Sequence, residues 1–549
     1  MEKKKLPKSF TICLLVFLGS LIAIVAISFC VMFLSPGTEI LGYQYISYTE
    51  PMTRTYTASS GVSVSNITAI KIITDCSAVN VSAGQNDSQV IVNYNRNIYG
   101  IVKSENAEII FSDYVIGNGS FEEDGTSGTY RTMIIDITEP TGFISSVESN
   151  VQIYLPSNIL FEVVYLSSEK GNISYNSTSF EKNITAKNLY LMSSGGNISI
   201  SNTQSCDNYY LKTSNGTVNF NSSSISAKKV KFESESGSFN LTNATSDATI
   251  TATEGLYLTS NGSVNVCVNV LNGDLNIDAQ SGTFSFGRIG SETSEKEVSV
   301  YSSSSTLNFG TIYGVLNIFG KDNVGNNTVS VNKLENTSEN IDNINSGSGN
   351  VVIEEMNSPA ISISSTSGNI YLQKVSTTTS VYAYCATGAI SISYIESSTC
   401  VPETSVKVFS KTGSVSLFNI SGFFEVEVLE NSAFSRLDIV LSAVCYETGN
   451  DETNTILAKN RNVNLTLKGY GNDLICRILS FQEVRFVDSS TTQVNEGDLY
   501  YILDDYTGYE YEYRVGYIRP TNNVGAVYDG KGKVFINSTE SVVISFQID

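Results

Sequence analysis

Short apolar–polar–apolar triplets recur along the middle of the chain, each just after a glycine. Ile198-Ser199-Ile200, Val264-Asn265-Val266 and Ile390-Ser391-Ile392 are examples. This alternation is the period of a strand with one face turned inward. The preceding turns carry Gly171, Gly196, Gly216, Gly237, Gly262 and Gly282, then Gly349, Gly368, Gly388 and Gly413. Successive glycines lie 25, 20, 21, 25 and 20 residues apart, then 19, 20 and 25. The interval of 67 residues between Gly282 and Gly349 has room for three more coils. Hairpin repeats return every 8–12 residues or so, so the spacing predicts an all-β ectodomain built as a β-solenoid with coils of 19–25 residues. One coil cannot bury its inner face alone. Stacking coils at roughly 4.8 Å per rung makes a continuous apolar column and pairs each inner strand edge. The turn glycines are expected to take positive-φ corners that a Cβ disfavours.

The flanks depart from this pattern. Thr11 to Leu34 carries no charge and is long enough to cross about 30 Å of hydrocarbon. Lys3, Lys4, Lys5 and Lys8 precede it, which places the short tail in the cytoplasm and the rest outside or in a lumen. A secretory signal has a shorter apolar region, so the segment reads as an uncleaved signal-anchor. The expected organisation is a cytoplasmic tail (1–10), a transmembrane helix (11–34), a linker (35–60), an N-terminal β cap (61–165), the solenoid (166–418) and a Tyr-rich β region (419–549). In the cap, Ile70-Lys71-Ile72, Val79-Asn80-Val81, Val90-Ile91-Val92 and Met133 to Ile137 read as strands, and Gly117 to Gly128 as a polar loop. The last region loses the 20-residue period. Tyr509, Tyr511 and Tyr513 share one face of a strand there, a surface that could stack on sugars or cover the last coil.

Composition narrows the function. The net charge is −21, and the first 35 residues hold four Lys and one Glu, so the remainder carries −24. Such a surface opposes nucleic acid and anionic lipid. The chain has no histidine, which removes Ser-His-Asp and Cys-His nucleophile systems and His-containing zinc sites. It also lacks a Cys-x-x-Cys pair, a Walker loop and an EF-hand loop. No residue is assigned to catalysis, a cofactor or a metal. Carboxylate-only glycoside chemistry stays open as an alternative, though Glu354-Glu355, Glu122-Glu123-Asp124 and Asp504-Asp505 are isolated. Seven cysteines lie beyond the apolar segment, with Cys385 and Cys400 the pair most able to meet.

Asn-x-Ser/Thr sequons are dense: Asn66, Asn80, Asn86, Asn118, Asn172, Asn176, Asn183, Asn197, Asn215, Asn221, Asn240, Asn243, Asn261, Asn326, Asn336, Asn419, Asn464 and Asn537. They are glycan acceptors in a secretory-pathway protein, or simply the residues that solenoid turns use.

One further pattern runs in order along the chain. Ala78-Val79-Asn80-Val81 comes first. Val151 to Pro156 follows, then Phe161 to Tyr165, then coils beginning at Lys170-Gly171-Asn172-Ile173. This order resembles the adhesin-like β-solenoid domain family, a domain of unknown function in surface proteins, over roughly residues 65–415. The sequons and the Tyr-rich end depart from it. The resemblance implies surface attachment and carries over no catalytic residues. The expected function is a membrane-anchored, non-catalytic surface adhesin or scaffold that meets a glycan, a protein or a copy of itself. A self-assembling coat protein is the other alternative.

Overall fold

The structure is a computed structural model. It describes residues 8–35, 37–48, 51–56, 67–76, 78–85, 89–104, 110–112, 116–121, 129–139, 142–157, 159–179, 182–201, 206–221, 224–241, 249–321, 325–376, 380–395, 405–420, 423–428, 437–442, 453–458, 463–468, 475–480, 484–487, 514–518, 533–538 and 542–547. The chain divides into two compact units, Met1–Ala227 and Lys228–Asp549.

The first unit starts with the helix Lys8–Leu34, whose stretch Ile12–Val31 is long and apolar enough to cross a membrane and is not buried against the protein. The rest is built from two parallel ladders. One stacks Ala69–Thr74, Leu160–Ser168, Thr185–Ser193 and Asn208–Thr213. The other stacks Ala78–Ala83, Asn172–Asn176, Ile198–Ser201 and Thr217–Asn221. The registers align like with like. Val79, Ile173, Ile198 and Val218 form one column, and Val81, Tyr175, Ile200 and Phe220 the next. Each of these side chains is at most 2% exposed. Burying an aliphatic or aromatic side chain contributes about 1.5–3 kcal/mol, so the columns supply the main driving force.

The expected cap is part of the stack. Thr129–Thr138 pairs in parallel with Ala69–Thr74, and Gly142–Leu155 with Ala78–Ala83. The coil formed by residues 69–83 therefore lies between the coils of residues 129–155 and 160–176. Antiparallel strands then cover the outer edges. Val90–Lys103 pairs with Gly142–Leu155, while Ile110–Ser112 and Ile116–Ser120 pair with Thr129–Thr138. The polar loop expected from Gly117 thus begins as an edge strand, and its remainder, 122–128, lies outside the described residues. Covering the edges removes unpaired strand groups that would otherwise template aggregation.

In the second unit one column runs through Phe284, Leu307, Val329, Val351, Ile370, Ile390, Val415 and Leu437. All are at most 1% exposed. Leu307 and Val329 account for the gap between Gly282 and Gly349: the coils continue there without the glycine. Parallel stacking also persists beyond residue 418. Leu437–Ser442 pairs with Val463–Lys468, which pairs with Val542–Gln547. The late coil 533–547 sits between 453–468 and 475–487, and Arg514–Ile518 covers Ile475–Ser480 antiparallel.

The corners explain the repeat. A hydroxyl three residues before the turn glycine is buried, accepts that glycine's N–H and donates to the preceding coil. Ser193 Oγ takes Gly196 N–H at 2.8 Å and donates to Gly171 O at 2.8 Å. Thr213 Oγ1 takes Gly216 N–H at 2.9 Å and donates to Gly196 O at 3.2 Å. Ser365 does the same for Gly368 and Gly347, and the Cys385 thiol stands in for the hydroxyl at Gly388 and Gly368. An outer ladder matches this inner one. Asn172 Oδ1 accepts Asn197 N–H and Asn197 Oδ1 accepts Thr217 N–H, both at 2.7 Å. Asn350, Asn369 and Ala389 repeat it.

The glycines serve close approach rather than left-handed geometry. Of the turn glycines, Gly282 has the expected positive φ, 154°, whereas Gly196, Gly216, Gly262, Gly368, Gly388 and Gly413 do not. A Cβ at Gly196 would lie 2.2 Å from Gly171 O, and one at Gly368 2.0 Å from Gly349 O. Where the glycine is missing the clasp is rebuilt. Ser305 pairs with Gly282. Its N–H donates to Asn327 Oδ1 at 2.9 Å, while Asn327 Nδ2 donates to Ser302 O at 2.9 Å.

Two outcomes follow. At Gly195 the nearest atom to an added Cβ is 3.4 Å away. Chemical denaturation should therefore find Gly195→Ala near neutral and the adjacent Gly196→Ala destabilised by about 1–3 kcal/mol or more. Because residues 533–547 form an inner rung, truncating the chain at residue 532 should expose two stacked faces at once. Limited proteolysis should then cut within 453–487 far faster than in the full chain.

Candidate functional site

An exposed six-residue connection in the coils of the second unit shapes a cleft. Between the consecutive strands Val351–Asn357 and Ala360–Ser365 the link is two residues; one rung earlier, between Thr328–Glu335 and Asp342–Gly347, it is six. This loop, residues 336–341, walls an open cleft of about 710 Å³ whose lining includes Glu297, Asn317, Glu339, Ile341 and Asn343.

Buried polar groups fix the loop. Asp342 is fully buried at its base. Its Oδ1 accepts Leu316 N–H at 2.7 Å, and its Oδ2 accepts the Ser358 hydroxyl at 2.5 Å and Asn336 Nδ2 at 3.2 Å. Burial raises the Asp342 pKa, opposed by those three bonds. Asn336 Nδ2 also donates to Asn340 O, and Asn336 Oδ1 accepts both the N–H and the hydroxyl of Ser338. From the neighbouring wall, Glu295 Oε1 accepts Thr337 N–H at 2.7 Å. Asn343 Nδ2 donates to Asn317 Oδ1 at 3.3 Å. Amides supply both donors and acceptors and carboxylates supply acceptors. Ile341, 51% exposed, adds an apolar surface. The cleft thus matches a ligand rich in hydroxyls with one apolar face.

A second cluster lies in the first unit. Asp75 and Cys76 follow the strand Ala69–Thr74, and Glu139 follows its parallel partner Thr129–Thr138. One donor atom from each of the three lies within 4.8 Å of the others. Cys76 and Glu139 are buried and Asp75 is half-buried. Glu139 N–H donates to Asp75 Oδ1 at 2.8 Å, and the buried Tyr94 hydroxyl donates to Glu139 Oε1 at 2.7 Å. Burial pushes the Cys76 thiol up, and the nearby Glu139 charge adds to it. Burial likewise raises Asp75. Nothing in the sequence pairs these residues, because the contact depends on strand register.

Tyr509, Tyr511 and Tyr513 lie outside the described residues, as do Asn66, Asn86, Asn243 and Cys400. Asn118, Asn464 and Asn537 sit on strands. Asn172, Asn197, Asn215, Asn221, Asn261 and Asn326 are exposed; Asn80, Asn176, Asn183, Asn240 and Asn419 are half-buried. Asn336 is buried, with its amide engaged in the loop. Among the described residues these sequons are gathered into no single site.

Residues 121–332 match the family model described as Toastrack DUF4097. That span is 212 of the chain's 549 residues. The matched span takes in the Val151–Pro156 and Phe161–Tyr165 motifs and the coils from Gly171 to Gly282; Ala78–Val81 lies before it. No curated protein matches the chain. Among solved structures, the chain is similar to one described as "a putative cell adhesion protein from Clostridium sporogenes", with 11% identity and a TM-score of 0.22, over 52% of this chain and 100% of that one. Another is described as a "putative adhesin from Parabacteroides distasonis", with 10% identity and a TM-score of 0.17, over 69% of this chain and 97% of that one. The β-solenoid follows from the chain's own strand register.

The Asp342 carboxyl gives a pH test. A raised carboxyl pKa means that its favourable contribution is complete below the ordinary value of 3.8 and is lost as pH rises through the folded value. The stability of wild type relative to Asp342→Asn, read from denaturant midpoints, should therefore fall as pH rises from below 3.8. In a glycosylating host, peptide mapping of the folded protein should find Asn336 bare, since a glycan there would displace the amide that holds the loop.

Proposed function

We propose that the chain is a membrane-anchored surface protein whose solenoid presents a non-catalytic binding surface to a glycan. The observation that carries this reading is the cleft beside the loop of residues 336–341, where amides and carboxylates stand on rigid rungs around exposed Ile341. Rigid polar groups bind without first being ordered, which lowers the cost of association. The apolar helix Lys8–Leu34 supports anchoring, with the lysine-rich tail in the cytoplasm and the units outside. The adhesion-related descriptions of the similar structures are compatible with this role.

The test uses the full chain in lipid vesicles against a glycan array and whole cells. Saturable binding to a defined sugar is expected. Asn343→Ala, at a half-buried position, and Glu297→Gln, at an exposed one, should each weaken it about tenfold, with the unfolding midpoint of Glu297→Gln unchanged. Undiminished binding in both variants would move the contact away from the cleft. Protease added outside the vesicles should release fragments from either unit while sparing the helix.

A further inference from the structure

We propose that Asp75, Cys76 and Glu139 form a binding site for a divalent metal ion of the zinc class. The fold builds the site by register. Parallel pairing of Ile73 with Asp136 and of Thr74 with Ile137 brings the two strand ends together. Two carboxylates and a thiol then converge within 4.8 Å. The mix of one sulfur and two oxygen donors suits zinc, which takes sulfur at about 2.3 Å and carboxylate oxygen at about 2.0–2.2 Å. The half-buried side of Asp75 gives a way in and leaves the fourth position to water.

The surroundings favour a cation. Two acidic side chains and a thiol share this buried place, and the cation whose charge bears on Asp75 is Lys170, an exposed side chain on the next coil. The Tyr94 hydroxyl holds Glu139 from behind, the kind of outer contact that orients a metal-bound carboxylate. Ser168, the first hydroxyl of the corner series, donates to Cys76 O at 3.4 Å and accepts Gly171 N–H at 2.9 Å. A bound ion would thus stabilise the junction between this coil and the first glycine corner. On binding, the Cys76 thiol gives its proton to the solvent and its sulfur becomes a ligand.

The experiment titrates the full chain, in detergent micelles, with Zn²⁺ alone and with Co²⁺ alone. One equivalent of Zn²⁺ should bind, with release of about one proton and a rise in melting temperature that follows mass action. Co²⁺ should show a sulfur-to-metal charge-transfer band. Cys76→Ser should abolish the band, and Asp75→Asn, at a half-exposed position, should weaken binding at least about tenfold. Tyr94→Phe, which keeps all three ligands, should cost about 10–100-fold. Cys385→Ser should change nothing, since serine fills the equivalent place in other coils. Absence of stoichiometric binding would overturn the proposal. A band that persists at full strength in Asp75→Asn would overturn it as well.

Discussion

Successive coils cannot stack at strand spacing unless their corners can touch. Along a ladder the backbones approach to hydrogen-bonding distance, and at each corner the carbonyl of one coil points at the Cα of the next. A Cβ at Gly413 would fall 1.6 Å from Gly388 O, and one at Gly216 2.0 Å from Gly196 O. Glycine is therefore set by the neighbouring coil more than by the local turn. The buried hydroxyl completes the device. It satisfies one N–H and one carbonyl that the corner removes from both water and the ladder, groups costly to leave unpaired. One side chain per coil thus removes two penalties and links two rungs.

This constraint explains what could be read from the sequence and what could not. The coils at Gly171, Gly196, Gly216, Gly368 and Gly388 share a clasp in which the third residue before the glycine supplies a hydroxyl or thiol; at Gly262 the hydroxyl of Ser260 does so from two residues before, and before Gly282 the place is held by Ala279. Coils at Leu307 and Val329 were legible only as a gap of the right length, because Ser305 and Asn327 meet the same hydrogen-bonding need with different side chains. The glycine was noticed for the wrong physical reason: a local φ argument cannot see a carbonyl contributed from about 20 residues earlier. In the N-terminal β region the sequence showed the strands and not their order. Strand identity at Ile70 to Ile72 and Val79 to Val81 was plain from alternation, but alternation is silent about which strand lies next to which. Residues 69–83 sit between later coils, and only register reveals it.

The candidate sites were less legible because both arise where the repeat is interrupted. Cys76 and Glu139 lie far apart in sequence and meet because their strands are parallel neighbours. Asn336 reads as a sequon, yet its side chain is the internal brace of a loop. In a low-complexity sequence rich in Ser, Thr and Asn, the same residue type serves as ladder, brace or exposed turn. Burial and partners, rather than identity, separate these roles.

Division of labour within each coil follows from the same physics. Inward positions are held to apolar side chains by the columns, and corner positions by the clasp. Freedom remains in outward strand positions and in the connections opposite the glycine corner. Lengthening such a connection costs little, since loop entropy grows only slowly with length. An inserted loop is nevertheless mobile unless something fixes it. The six-residue link at 336–341 is fixed by Asp342, whose buried carboxylate takes bonds from Leu316, Ser358 and Asn336. A buried carboxylate is an unfavourable choice for stability alone, as the upward displacement of its pKa indicates. Holding a polar loop in one shape beside Glu297, Asn317 and Asn343 is what that arrangement accomplishes, and a binding surface needs that rigidity where a bare scaffold does not.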